Sequence, residues 1–156
     1  MIMKTIIPII LIFFSCSTAK DGQHAGNPVA ESINARRYVF KARTMMPASG
    51  SSRQLTSDYS FTVKNDTLIA YLPYFGKAYS AAIGRGSDGI NFTSTDFTYN
   101  VSEGKKGGWL IEMRTKDAGD VQQVNLNVSK NGYGTLHVNN QNRQAISYSG
   151  KIEPLK

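Results

Sequence analysis

The stretch Val124-Asn-Leu-Asn-Val-Ser-Lys-Asn-Gly-Tyr-Gly-Thr-Leu-His-Val138 decides the fold class of this chain. Apolar Val124, Leu126 and Val128 alternate with polar residues, which is the period of a β-strand with one buried and one solvated face. Lys130-Asn-Gly132 is a strong signal for a tight hairpin turn, and alternation resumes at Leu136. The sequence therefore predicts two antiparallel strands here.

The same alternation recurs along most of the chain, with turn residues between the segments. The other predicted strands are Tyr38–Arg43, Tyr59–Lys64, Leu68–Leu72, Phe97–Val101, Trp109–Arg114 and Ile146–Ile152. About eight short strands with regular turns predict a mainly β fold, an antiparallel meander that forms a strongly curved sheet or a small barrel. One short helix is predicted at Val29–Arg37, and Met45–Asp58 and Pro73–Gly89 are predicted as two long loops.

The N-terminus resembles a bacterial lipoprotein signal. A cationic start at Lys4 precedes an apolar run that is too short to span a membrane and ends at Ser15-Cys16, the only cysteine. We expect a signal peptide at 1–15, lipid attachment at Cys16, a flexible tether at 16–28 and one β-rich domain at 29–156. The alternative is an ordinary secretory cleavage site beside an incidental cysteine. Ser17 after Cys16 favours the outer membrane over the inner membrane of the envelope.

The net charge of +7 indicates which classes of binding partner suit this chain. The basic residues are dispersed and form no run of five like charges, so the sequence does not predict nucleic-acid binding. Positive charge on an envelope protein suits an anionic lipid surface or an acidic glycan instead.

Metal, cofactor and catalytic motifs are not found in the sequence. The two histidines, His24 and His137, form no ligand pair, and no second cysteine exists for a thiolate cluster. No Gly-x-Ser-x-Gly segment occurs, so His137 is the one candidate base within the domain. We expect no metal, no cofactor and no enzymatic activity; a hydrolase would need His137 beside a serine and a carboxylate.

Aromatic and arginine residues around the two loops are the candidate binding residues. Tyr71, Tyr74 and Tyr79 lie in or next to the second loop, and Arg43 and Arg53 lie near the first. Such a set can stack on a sugar or a peptide and hold a carboxylate or phosphate. The competing interpretation is that the segment around Tyr74 closes one end of the barrel as core.

One further signal concerns modification. Asp66-Thr67-Leu68 resembles the Asp-Ser/Thr-aliphatic site of O-glycosylation in exported proteins of Bacteroidetes, and it lies at a predicted turn. Thr67 is therefore a candidate O-glycosylation site.

Several long blocks of this chain together resemble the domain-of-unknown-function family numbered 4251, found in Bacteroidetes. The blocks are Arg37–Pro47, Ser52–Tyr59, Asp66–Tyr79, Gly89–Ser94 and Asn142–Gly150. The resemblance implies a secreted or lipid-anchored envelope protein with a β-rich domain, and no catalytic residues. We expect a non-enzymatic module that binds a glycan, a small ligand or an envelope protein; a structural or assembly component of an envelope complex is the alternative.

Overall fold

The computed structural model of the chain describes residues 26–77, 79 and 89–155. The predicted signal peptide and Cys16 lie outside these residues. The elements are α1 (Pro28–Asn34), β1 (Arg37–Pro47), β2 (Arg53–Lys64), β3 (Thr67–Leu72), β4 (Ile90–Ser94), β5 (Phe97–Glu103), β6 (Trp109–Thr115), β7 (Val121–Val128), β8 (Tyr133–Asn140) and β9 (Ile146–Pro154). No helix in this part of the chain is both long enough and apolar enough to cross a membrane.

The strands form one antiparallel sheet in the order β4-β3-β2-β1-β9-β8-β7-β6-β5. Because every neighbouring pair is antiparallel, the two outermost strands, β4 and β5, run in the same direction. Only Thr95 and Asp96 separate them in sequence. They therefore act as one bent strand that pairs first with β3 and then with β6, and the sheet becomes a nearly closed barrel.

The bend between β4 and β5 is held by a carboxylate from the β6–β7 turn. Asp117 accepts a hydrogen bond from the hydroxyl of Ser94 and from the backbone N–H groups of Thr95 (2.9 Å) and Asp96 (3.1 Å). These hydrogen bonds, that of Ser94 foremost, hold the pKa of Asp117 below its usual range. Asp117 thus links the two halves of the bent strand to the neighbouring turn.

Side chains fill the interior of the barrel. Tyr38, Phe40, Phe61, Met113 and Tyr148 are completely buried, and each comes from the inward face of its strand. When β4 and β5 are counted as one bent strand, the barrel has eight strands. A barrel of eight strands is just wide enough for its interior to be filled by such side chains. The alternation in the sequence therefore corresponds to inward and outward faces, which confirms the predicted β class and meander.

The prediction of a long loop at Met45–Asp58 is wrong. Met45–Pro47 extends β1 and the segment from Arg53 extends β2, so only residues 48–52 connect them. A β-bulge between Ala42 and Thr44 moves the inward position from Ala42 to Met45, which hides the period of two in the sequence. Residues 53–58 of β2 are mostly exposed and carry no apolar alternation. Strand β4 is an addition to the predicted strands, and its Ile90 and Phe92 alternate with exposed neighbours.

Helix α1 closes one end of the barrel, which we call the helix end. Asn27 caps it by accepting from the backbone N–H of Val29 (3.0 Å), and Pro28 opens its first turn. Ile33 is fully buried, and its carbonyl accepts from the hydroxyl of Tyr99 (3.3 Å). The predicted helix is confirmed, and it ends at Asn34 rather than at Arg37.

Candidate functional site

The opposite end of the barrel, which we call the loop end, is closed by the segment that follows β3. Tyr148 donates to the carbonyl of Pro73 (2.6 Å), and the hydroxyl of Tyr74 contacts the carbonyls of Lys77 (3.2 Å) and Gln144 (3.1 Å). The backbone N–H of Gln144 donates to the carbonyl of Lys77 (3.1 Å). Tyr74 is buried. The first residues of the predicted second loop therefore pack as core.

Arg143 covers the ring of Tyr74 from the β8–β9 connection. Its guanidinium lies 4.6 Å from the ring centroid and binds both oxygens of Asp120, at 2.8 and 2.9 Å. Burial raises the pKa of Tyr74, and the charge of Arg143 partly offsets this rise. Because its charge is matched by a carboxylate in fork geometry, Arg143 belongs to the framework of the loop end.

An open groove lies beside this closed end, with a volume of about 250 Å³. Its most exposed aromatic rings are Tyr71 (55% exposed) and Phe75 (52%). The ring of Tyr71 stacks on Tyr59 with centroids 5.4 Å apart, and the guanidinium of Arg53 lies 4.8 Å from the centroid of Phe75. The groove is lined by Tyr59, Tyr71, Leu72, Pro73, Tyr74, Phe75, Gly89 and Asn91.

The backbone explains why these rings meet. Tyr71 lies between the inward residues Ala70 and Leu72 of β3, so its side chain points away from the core. Asn91 of β4 is its direct cross-strand partner. Phe75 follows the buried Tyr74 where the chain leaves the barrel. The groove can therefore offer an aromatic face and a side-chain amide to one ligand, and the guanidinium of Arg53 lies against its Phe75 wall.

The structure brings some of the predicted binding residues together and leaves others apart. Tyr71 and Tyr74 line the groove, and Arg53 covers its Phe75 wall. Arg43 is exposed at the bulge of β1 and does not line the groove. Tyr79 is 71% exposed, and its backbone N–H donates to the carbonyl of Asn142 (2.8 Å) in the β8–β9 connection.

Two groove residues carried no usable signal in the sequence. Tyr59 is expected only as a strand residue, and Asn91 belongs to the strand that was not predicted. Asn91 is the cross-strand partner of Tyr71, whereas Tyr59 stacks on Tyr71 from beside Ser60, the residue opposite Tyr71 on β2. No short motif encodes either contact. Residue 78 and residues 80–88 of the predicted second loop lie outside the described residues.

His137 lies on the outer face of the barrel, where its Nδ1 is 2.7 Å from the hydroxyl of Ser147. Its cross-strand neighbour on the other side is Asn125. Glu112, one strand further, accepts from Gln123 (3.2 Å). Within the described residues no carboxylate hydrogen bonds to His137. In the same part of the chain no three His, Cys, Asp or Glu side chains cluster closely enough to share a metal ion.

Thr67 opens β3 directly after the Asn65–Asp66 turn. It is half-buried and pairs with Lys64 at the end of β2. Asn65 adopts a left-handed backbone conformation (φ 52°), which fits its place in the turn. O-glycosylation at Thr67 stays a prediction.

Comparison with known proteins bears on family and fold. The family model described as domain of unknown function DUF4251 matches residues 21–152. The crystal structure of a DUF4251 family protein from Bacteroides eggerthii DSM 20697 is similar, with a TM-score of 0.59 and 18% sequence identity over 82% of this chain and 86% of that one. A search of curated proteins finds no significant match. At this identity the structural likeness concerns the fold alone.

Proposed function

This chain belongs to the DUF4251 family, and from that premise we propose that it is a lipid-anchored protein of the cell envelope whose barrel is a non-enzymatic binding module. The lipoprotein-like run that ends at Cys16 supports the anchor, and Ser17 favours the outer membrane. The region just before Pro28 lies at the helix end, so the tether of an anchored chain would enter the domain at that end.

The groove at the loop end is the observation that carries the binding role. Large aromatic rings that stay half exposed forgo the favourable free energy of burial. A cluster of such rings on the surface is typical of a binding site. Tyr59 and Tyr71 offer a flat apolar surface, and Arg53 offers a charged fork at the far wall. This combination suits a sugar ring with an acidic substituent, because the ring stacks while the acid binds the guanidinium.

Titration with two matched oligosaccharides tests this role. The full chain in mild detergent is titrated by calorimetry with a hyaluronan tetrasaccharide, which carries carboxylates, and with chitotetraose, which is neutral. We expect the acidic sugar to bind more tightly, and Tyr71→Ala to weaken its binding roughly fivefold, since stacking on one aromatic ring contributes about 1 kcal/mol. Arg53→Gln should reduce the preference for the acidic sugar.

Tyr133→Ala is the matched control for Tyr71→Ala. Tyr133 is 57% exposed and has a lysine over its ring, as Phe75 has an arginine, but it lies at the helix end. The control should bind like the wild type. Failure of both sugars to bind, or equal losses in the two tyrosine variants, would refute glycan binding by the groove.

Analysis of the mature N-terminus by mass spectrometry tests the anchor separately. We expect an acylated Cys16 as the first residue of protein isolated from its native envelope. An unmodified terminus on either side of Cys16 would overturn the anchor without affecting the groove.

A structural or assembly role is the second candidate, supported by the edge of β5. Within the described residues β5 pairs with β6 alone, and Asn100–Glu103 are exposed, including Val101 at 41%. An unpaired strand edge can add a strand from a partner. A pull-down from the native envelope that depends on Val101 rather than on Tyr71 would favour this role. A hydrolase is the weaker alternative, because the His137–Ser147 pair has no carboxylate to orient it in the described part of the chain.

A further inference from the structure

The start of α1 and two turns form one continuous surface at the helix end. The side-chain amide of Asn27 donates to the carbonyl of Lys130 (2.9 Å) in the β7–β8 turn. A Cβ placed on Gly107 of the β5–β6 turn would lie 2.6 Å from Cε of Lys130, so the two turns touch. A Cβ on Gly132 would lie 3.2 Å from a methyl carbon of Val29 in α1. The two turns and the helix therefore meet where residue 26 enters the domain.

This surface is rich in lysine. Lys105, Lys106 and Lys130 are exposed, and Lys151 reaches over the ring of Tyr133 with its Nζ 5.4 Å from the centroid. We call these four lysines the helix-end patch. Other cations at the same end are Arg36, Arg37 and Lys64, and the carboxylates there are Glu31, Asp66 and Glu103, besides the Glu153 that pairs with Lys41.

The lysines of the helix-end patch have no carboxylate partner among the described residues. The ion pairs among the described residues are Lys41–Glu153, Lys116–Asp96 and Arg143–Asp120, and none includes a lysine of the patch. Ammonium groups without a partner repel one another, and a phosphate-bearing surface relieves that repulsion. Tyr133 adds an exposed aromatic ring whose apolar body and polar tip suit the level of lipid headgroups.

We propose that the helix-end patch binds the phosphate headgroups of an anionic phospholipid bilayer and so orients the barrel with its loop end away from the membrane. Residue 26, the first described residue, lies on the face that would contact lipid. The proposal does not depend on the glycan groove. It requires only that the patch lie against lipid, and Coulomb attraction between its lysines and anionic headgroups favours that contact.

Lysine acetylation of the full chain in vesicles tests the orientation at each residue. The chain is reconstituted in phosphatidylcholine vesicles with and without 30% phosphatidylglycerol, treated with an acetylating ester, and analysed by mass spectrometry. We expect the modification rates of Lys105, Lys106 and Lys130 to fall roughly tenfold when the anionic lipid is present. Lys77 and Lys116 at the loop end should react equally in both lipids. High salt should abolish the protection, since it screens exposed charges.

A pair of double variants separates the patch from net charge. Lys105→Gln with Lys106→Gln should restore the reactivity of Lys130 in anionic vesicles to within about twofold of its value in neutral vesicles. Lys77→Gln with Lys116→Gln removes the same charge from the loop end and should leave Lys130 protected. Circular dichroism verifies folding of each variant, and the wild-type comparison decides the question alone if one variant does not fold.

Three outcomes would overturn the proposal. Equal rates at Lys130 in the two lipids would show that the patch does not contact anionic headgroups. Equal protection at Lys77 and Lys116 would show that the barrel has no fixed orientation. Protection by soluble peptidoglycan fragments but not by anionic vesicles would assign the patch to cell-wall polymer. None of these outcomes alters the titration of the groove with oligosaccharides.

Discussion

The loop end and the helix end of the barrel are closed by different interactions. The loop end is held by polar groups: Tyr148 donates to Pro73, and Arg143 binds Asp120 in a fork. The helix end is closed by apolar burial of Ile33, and its lysines are left without carboxylate partners in the described residues. The charges of Arg143 and Asp120 therefore bind each other, whereas the lysine side chains of the helix end form no ion pair that closes the barrel in the described residues.

The same difference applies to the aromatic residues. At the loop end the buried Tyr74 has its hydroxyl occupied by two carbonyls, and the exposed ring of Tyr71 lies outside that network. At the helix end Tyr38 and Tyr99 join their hydroxyls (3.2 Å) beneath α1, while Tyr133 stays outside. Each end thus separates a structural tyrosine from an exposed one, and the exposed ones are the better candidates for binding.

Removing the apolar closure should have the largest effect on stability. Ile33→Ala leaves a cavity beneath α1, and we expect the free energy of unfolding to fall by about 3 kcal/mol in urea denaturation. Ile69→Ala makes the same change on the outer face of β3, where the side chain is 42% exposed, and should cost less than about 1 kcal/mol. Similar losses in the two variants would mean that α1 does not close the barrel.

Removing one polar contact from the loop end should have an intermediate effect. Tyr148→Phe takes away the donor to the carbonyl of Pro73 and leaves that buried acceptor unsatisfied, at an expected cost of about 1 to 2 kcal/mol. Tyr133→Phe removes an exposed hydroxyl at the helix end and should leave the unfolding midpoint unchanged. A neutral Tyr148→Phe would indicate that the loop end is not held by this hydrogen bond.

The smallest effect should come from the exposed Asp117 at the strand bend, and it should depend on pH. The pKa of Asp117 is lower in the folded protein than its ordinary value of 3.8, so the unfolded chain binds the proton more readily. Its stabilising contribution is present above pH 3.8 and is lost as the pH falls through the lower, folded pKa. Asp117→Asn should therefore lower the melting temperature at neutral pH, and the difference should vanish in strong acid.

Ser94→Ala tests the cause of that pH dependence. The hydroxyl of Ser94 is the first of the groups that lower the pKa of Asp117, so its removal should shrink the difference between the neutral and acidic melting temperatures. A difference that stays the same in Ser94→Ala would place the cause in the backbone hydrogen bonds alone.

Much of the fold could be predicted from the period of two, and the failures have physical causes. Val124–Val128 and Leu136–Val138 alternate cleanly because each strand has one face in the core. The bulge after Ala42 shifts that alternation by one residue. For this reason the sequence pattern predicts a loop where β1 in fact continues to Pro47. Of the bent strand, the sequence predicts β5 but not β4, because Ile90–Ser94 is short and follows a glycine-rich segment.

The groove could be predicted only in part. Tyr71, Tyr74 and Arg53 stand out in the sequence as aromatic and basic residues near long connections. Whether a tyrosine side chain lies in the core or on the surface depends on the direction in which its backbone position points. The structure buries Tyr74, so its side chain belongs to the core that closes the loop end. Asn91 reaches the groove through cross-strand register with Tyr71, and Tyr59 reaches it by stacking on Tyr71.

By itself the sequence determined the fold class, the antiparallel meander and the candidate anchor at Cys16, because these follow from local periodicity, turn chemistry and a contiguous motif. Only the tertiary structure decided that β4 and β5 form one bent strand, that Tyr59 and Tyr71 stack, and that Lys105 and Lys130 share a surface with α1. These features join residues far apart in the chain. Their contacts depend on register and barrel closure, which are set by packing of the whole core rather than by any short segment.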